Sequence, residues 1–383
     1  MRIREVTTQQ ELRRLSPWWD ELLGQSTGAS PFLSFDWIDC WWQHFGTGRE
    51  LLVLLAEDEQ GPAGIAPFAI SRYRYHRLPV RVLEFIGAPF RGPCLASRLE
   101  VIAARQPEQC LAAFAEAMLA HSKRWDLCSL RGMPTESCSI ERLAHAVPHQ
   151  FRLIKSSVYE VPLVCTGGAD WETHLVSLPL PSRFRNWLRR VEKRAQKAGL
   201  GAVTTITGQE LEATFPELSR VCDASWKAAQ GSGLFHANGK SSEFLFDLMR
   251  RLSTKGQLLL ATISAERKVV AYQLSFLHSG AVWFYDTTYD ENFGTTFPGA
   301  NLLAALLREA FQSGMEKIDL GPGLQPYKLQ WSNAREERVN WLGFHRGGRS
   351  RLLELAARSA MKVRKLKEHR AAKSSAPSPE EEQ

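Results

Sequence analysis

Apolar residues recur along this chain in two rhythms, and the order in which the rhythms alternate occurs twice. Helical spacing over residues 9–23 and 34–45 precedes three strand-like runs, ELLVLLAED (50–58), AGIAPFAISRYRY (63–75) and VRVLEFIG (80–87). A helix over 107–122 and a strand, WDLCSLRG (125–132), follow. The second half repeats the order: helices around 208–229 and 241–253, strands QLLLATISA (257–265), KVVAYQLSFLH (268–278) and AVWFYDTTY (281–289), a helix over 299–313 and a strand KIDLGPG (317–323). Both closing strands carry an Asp-Leu step, Asp126-Leu127 and Asp319-Leu320. Three strands joined by short turns form an antiparallel meander, and a strand reached through a helix pairs parallel to one of them. Each half is therefore expected to be a mixed α/β sheet flanked by helices.

The repeat sets the expected organisation: residues 1–165 as a first domain, 166–348 as a second, and 349–383 as a basic helix with a disordered tail, SSAPSPEEEQ. The two domains are expected to pack with their sheets facing a shared cleft, the boundary falling between about 160 and 182. A length of 383 residues suits two or three domains, and 44% hydrophobic with 23% charged residues excludes a disordered or fibrous chain. The net charge of +7 is local rather than diffuse. Seven basic residues and one acidic lie between 183 and 197, where Phe184, Trp187, Leu188, Val191, Ala195 and Ala198 keep helical spacing. Residues 351–373 hold eight basic and two acidic residues. These helices are either solvated packing faces or contacts for anionic lipid, an acidic substrate or nucleic acid. Seven cysteines without a C-x-x-C pair read as reduced, buried thiols, and no apolar stretch reaches the 18 or more residues of a membrane span, so the chain is expected to be cytoplasmic.

Several apparent motifs fail in context. Gly24-Gln25-Ser26-Thr27-Gly28 follows a helical run, whereas a nucleophile elbow needs a strand. In Gly233 to Ser241 five residues separate the glycines and no strand leads in, unlike a P-loop. His145 and His149 are interrupted by Pro148, so no metal site is expected. The alternation of Arg72 to Arg77 describes a strand end as well as a single-strand binder, and nucleic acid is not the favoured partner.

The informative region is 281–334. Gly294, Thr295, Thr296, Pro298 and Gly299 form a small-residue loop between a strand and an apolar helix whose next residues are Ala300 and Asn301. Backbone N–H groups at such a junction can converge on a pyrophosphate, because a helix N-terminus has unpaired donors and about half a positive charge. An ordinary strand-to-helix connection explains the same residues. The equivalent helix of the first half begins Pro107-Glu108-Gln109, where a carboxylate occupies the anion's place.

The order of elements resembles the acyl-CoA acetyltransferase (GNAT) fold in tandem. More closely, the chain resembles the CelD/BcsL-type acetyltransferases, a branch of GNAT proteins linked to cellulose and exopolysaccharide biosynthesis and related in fold to the Fem peptidyltransferases. The resemblance rests on Phe32-Leu33-Ser34-Phe35-Asp36-Trp37 with Trp41-Trp42, on Arg81 to Gly87, on Ser225-Trp226-Lys227, on Phe297-Pro298-Gly299, and on Asp319 followed by Tyr327-Lys328 and Trp331. Two departures stand out. Ala88-Pro89-Phe90-Arg91-Gly92 replaces an acidic-aromatic pair after Gly87, and Leu324-Gln325-Pro326 replaces an acidic residue before Tyr-Lys.

The resemblance implies transfer of an acyl group, acetyl in the simplest case, from acyl-CoA to an amine of a sugar, amino acid or polysaccharide-related acceptor, without a metal. Gly294, Thr295, Thr296, Gly299, Ala300 and Asn301 would hold the cofactor. Asp286 or Asp319 would serve as base, or else as a structural cap or ion pair; Tyr327 would protonate the departing thiolate and Lys328 would bind an acidic part of substrate or cofactor, unless the two are packing and a surface charge. The basic helices would meet an anionic membrane or a polysaccharide-synthesis complex. Two other functions stay open: a catalytically silent scaffold, which the missing acidic residues favour, and a Fem-like transferase using charged tRNA, which the absence of a heptad insertion disfavours.

Overall fold

The computed structural model describes residues 1–374 apart from 76–77, 93, 137–138, 148 and 237–238, and side-chain surroundings as far as 363 except at Tyr75. The tail beyond 374, Pro148 and the centre of the 233–241 loop lie outside the described residues. The strands are β1 (Arg2–Val6), β2 (Glu50–Asp58), β3 (Gly61–Tyr75), β4 (Leu78–Phe85), β5 (Ile102–Ala103), β6 (Leu127–Pro134), β7 (Phe151–Cys165), β8 (Thr204–Thr205), β9 (Leu258–Ala265), β10 (Lys268–His278), β11 (Ala281–Tyr289), β12 (Lys317–Asp319) and β13 (Ala334–His345).

Each half forms the expected meander. β2, β3 and β4 pair antiparallel in turn, as do β9, β10 and β11. The strand after the helix then adds in parallel: Val82, Leu83 and Glu84 face Leu127, Cys128 and Ser129, while Ala281, Val282 and Trp283 face Lys317, Ile318 and Asp319. The fold is thus a mixed α/β fold with a repeated layout. Aligned on the Asp-Leu step, Glu84 of β4 and Asp286 of β11 correspond: Leu127 pairs with Val82, two residues before Glu84, and Asp319 pairs with Trp283, three residues before Asp286.

The two meanders are not separate sheets facing a cleft, which corrects that expectation. They belong to one hydrogen-bonded ladder, in the order β1-β2-β3-β4-β6-β13-β7-β12-β11-β10-β9-β8. The join is an exchange of strands. β7, from the first half, pairs with β12 of the second, and β13, from the end of the second half, pairs with β6 of the first. Between them β7 and β13 run antiparallel from Leu163↔Ala334 to Phe151↔His345. The expected boundary, between about 160 and 182, therefore begins inside a central strand.

Apolar faces explain the helices. Helix Pro298–Gln312 starts with proline at its first turn, buries Leu302, Leu303, Leu306, Leu307 and Ala310, and ends before Gly314 at φ 69°. Helix Pro181–Lys197 buries Phe184, Leu188, Val191 and Ala195, as its spacing predicted, and turns its arginines outward. The FLSFDW stretch is the aromatic seam between halves: Phe32 and Trp37 meet Phe276 and Tyr285 edge-on or tilted at ring separations of 5.7–6.3 Å.

Candidate functional site

β11 is bonded to β12 only as far as Trp283 and Asp319. Beyond that pair the strands part, because Gly321 (φ 77°) and Gly323 (φ 97°) turn the chain away, and the strand expected over 317–323 ends at 319. A side chain at 321 would also press on the Phe284 carbonyl, 3.3 Å from an added Cβ. The opening is a cavity of about 410 Å³. Phe284, Thr287 and Tyr289 of β11 form one wall, and Pro298, Gly299 and Ala300 at the start of the helix another. Tyr327, Lys328 and Trp331 close a third side, with Trp187 and Trp226 at the rim. Trp331 is fully buried and fixed edge-on by Phe184, with ring centres 4.8 Å apart.

Of the residues singled out for the cofactor, Gly294, Gly299 and Ala300 line this cavity, whereas Thr295, Thr296 and Asn301 do not. Residues Glu291–Thr296 are a 3-10 turn, and Phe297 takes the left-handed conformation at φ 55°. Several donors are spent inside the loop. The N–H groups of Phe297, Ala300 and Asn301 donate to the carbonyls of Gly294 and Phe297, Thr296 Oγ1 donates to Phe293, and Asn301 Nδ2 to Phe297 at 2.9 Å. The expected convergence of the whole 294–301 backbone is therefore narrowed toward Gly299. The basic helix Pro181–Lys197 lies alongside, with the Arg194 guanidinium 5.4 Å from the Phe297 ring centre.

Of the catalytic candidates, Tyr327 and Lys328 face the cavity and the two aspartates do not. Asp319 is buried and ion-paired to Arg338 of β13, itself fully buried, and accepts the Gly321 N–H at 2.8 Å. Arg338 also binds Glu336 and the Ser97 carbonyl, each at 3.0 Å, which ties β13 to both halves. This makes Asp319 a structural anion, a correction to its place as a candidate base. Asp286 is ion-paired to Lys227 and accepts from Tyr272 at 2.8 Å and Thr288 at 3.2 Å. Lys227 donates further to the Thr287 carbonyl at 2.8 Å, so the pair pins the end of β11, which β10 pairs but β12 does not.

Lys328 Nζ donates to the carbonyls of Gly321 and Pro322 at 3.1 and 2.8 Å. Burial pushes its ammonium down to about 8; nearby Asp319 opposes the fall and Lys227 adds to it. Tyr327 keeps its proton more tightly than a free tyrosine, through burial and the Asp286 charge, although half of its surface remains exposed. Gln330 also lines the cavity. Sequence reasoning missed it, along with Arg338 and Phe284, and read Trp187 as packing. The short Asp-Leu step marked the end of β12, but nothing local linked it to an arginine 19 residues on.

Residues 182–329 match the family model of an acetyltransferase (GNAT) domain. That segment contains the cavity walls just described except Gln330 and Trp331. None of the curated proteins compared with the sequence matches it. Among solved structures the fold is similar to FemX, with a TM-score of 0.63 at 11% identity over 93% of this chain and 100% of that one. It is also similar to the C-terminal domain of a putative lysylphosphatidylglycerol synthetase from Agrobacterium fabrum (TM-score 0.54, 13% identity, 92% and 97% covered). The L-PGS of Bacillus licheniformis follows (TM-score 0.52, 14% identity, 90% and 96% covered). At these identities the likeness is one of fold. The chain therefore carries a GNAT-domain match that surrounds the strand opening, within a continuous fold similar to that of FemX.

Proposed function

We propose that the chain is an N-acyltransferase that moves an acyl group, acetyl in the simplest case, from acyl-CoA to an amine. The observation that carries this reading is the cavity between the parted strands, facing a helix N-terminus inside the GNAT-matched segment. The pyrophosphate would lie against Gly299 with Arg194 nearby, and the pantetheine arm along the edge of β11 that β12 leaves open. The amine attacks the thioester carbon directly, so that a C–N bond forms, the C–S bond breaks, and an N–H of residues 284–289 holds the carbonyl oxygen. Tyr327 gives the departing thiolate its proton and regains one from solvent, to which the amine's proton is lost through the open mouth. Asp286 supports this surface through Lys227 without touching substrate. The acceptor class implied by the sequence, an amine of a sugar, amino acid or polysaccharide precursor, belongs to the same proposal.

Gly299 is the position to test. An added Cβ would meet only Tyr289 at 3.7 Å, an ordinary contact, so alanine fits. In calorimetric titration with acetyl-CoA, Gly299→Ala should bind within about threefold of the wild type, and Gly299→Asp at least tenfold more weakly at an unchanged melting temperature. Equal affinity in all three proteins would remove the cofactor from this cavity.

A further inference from the structure

A second cavity, of about 510 Å³, lies across β11 from the first, and Phe284 lines both. Both halves build it: Ser97 and Arg131 come from the first, Tyr159 from β7, Tyr285 and Gly323 from the second, and Asn340 from β13. The 321–323 turn separates the two spaces. Lys328 holds two of the turn's carbonyls from the side of the first cavity, while Pro322 and Gly323 face the second.

Two polar groups on its walls are incompletely partnered. Arg131 donates to the Pro89 carbonyl at 2.8 Å, and no carboxylate lies within ion-pairing distance of it among the described residues. Three other arginines are matched by carboxylates, Arg49 by Glu84, Arg98 by Glu336 and Arg338 by Asp319. The Tyr285 hydroxyl is buried with no hydrogen-bond partner. It sits at the bulge in β11, where Phe284 and Asp286 pair with consecutive residues of β10 and Tyr285 is left over. The remaining polar lining is neutral: Asn340 accepts the Gly132 N–H at 2.8 Å, and Tyr159 donates to Ser97 at 3.3 Å. A lone guanidinium in a neutral cavity selects a ligand that brings its own negative charge.

The geometry points to this cavity as the acceptor site, for an amine that also carries a carboxylate or phosphate, with the anion on Arg131, a polar group on Tyr285 and the amine directed past Phe284. The direction of the amine rests on the acyltransferase reading, whereas recognition of the anion does not.

Binding of four probes at saturating CoA tests it: glucosamine 6-phosphate against glucosamine, and lysine against cadaverine, which lacks only the carboxylate. At least one anionic member should bind at least tenfold more tightly than its neutral counterpart, and the pair that discriminates names the anion. Arg131→Gln should abolish the difference and leave CoA affinity within twofold, while Arg131→Lys, which keeps the charge and guards against a folding defect, should retain part of it. No preference for either anion, no binding of any probe, a preference kept in Arg131→Gln, or one abolished by CoA would each overturn the assignment. A wild type that fails to bind CoA yet shows the Arg131-dependent preference would instead overturn the acyl-CoA reading alone.

Discussion

Arg338 holds a full charge with none of its side chain exposed, and three elements converge on it: Asp319 at the end of β12, Glu336 on its own strand, and Ser97 in the first half. Replacing it with methionine keeps the bulk but leaves the buried Asp319 without its cation. Removing one member of such a pair costs about 3–5 kcal/mol, so Arg338→Met should lower the denaturation midpoint by that equivalent, and a loss below about 1 kcal/mol would show that the network is relaxed by solvent. Lys328 offers a test by pH. Its ammonium titrates near 8 rather than at the ordinary lysine value, so the wall of the first cavity is cationic below that pH and neutral above it. A bound phosphate favours the charged form, and by linkage the affinity for CoA should fall as pH rises through about 8. Lys328→Gln should bind CoA more weakly at pH 7 and with no such fall; a wild-type profile flat from pH 7 to 9.5 would separate Lys328 from the ligand.

The exchanged strands account for much of what the sequence concealed. The meanders were visible because LLVLLA and LLLATISA are apolar runs bounded by turns, and the helix 298–312 because proline, a leucine stripe and glycine mark its start, face and end. β13 begins AREERV, which reads as an exposed segment; it is a central strand because Glu336 and Arg338 satisfy one another and their neighbours across the sheet. β7 contains a Lys-Ser-Ser run and Pro162, features that argue against a central strand, yet Pro162 still accepts the Leu320 N–H at 3.1 Å. The 294–301 loop was likewise readable as a helix start, whereas the use of its own N–H groups within the 3-10 turn was not. The exchange carries its own consequence for the proposed division at 165. Fragment 1–165 should carry β7 without β12 and β13, and fragment 166–383 should carry β12 without its neighbour β7, leaving sheet edges unsatisfied in both. Separately expressed, the two should aggregate or unfold without cooperativity, and co-refolding should recover CoA binding. Independent cooperative unfolding of either fragment would show that the exchange is dispensable.

The C-terminal helix combines basic charge with exposed apolar side chains. No described helix is long and apolar enough to cross a membrane. Helix Gly348–Ser374 nevertheless shows two apolar sides: Leu353, Ala357 and Met361 pack on a small core of Val80, Val82, Leu127, Ile154 and Phe344, whereas Leu352 is 68% and Leu355 62% exposed. Packing against the sheet explains the first side and leaves the second without a partner among the described residues. With eight basic and two acidic residues between 351 and 373, the helix combines exposed leucines with a strong positive charge, the combination that binds an anionic lipid surface in its plane. The full chain should therefore co-sediment with phosphatidylglycerol vesicles at low salt, at least tenfold more strongly than with phosphatidylcholine, and the difference should shrink as salt screens the charge. Replacing Leu352 and Leu355 with serine, which leaves the charge untouched, should reduce vesicle binding at least fivefold at an unchanged melting temperature. Binding that depends on salt but not on the leucines would make the contact purely electrostatic, and equal recovery with both lipids would leave these basic residues as a solvated face.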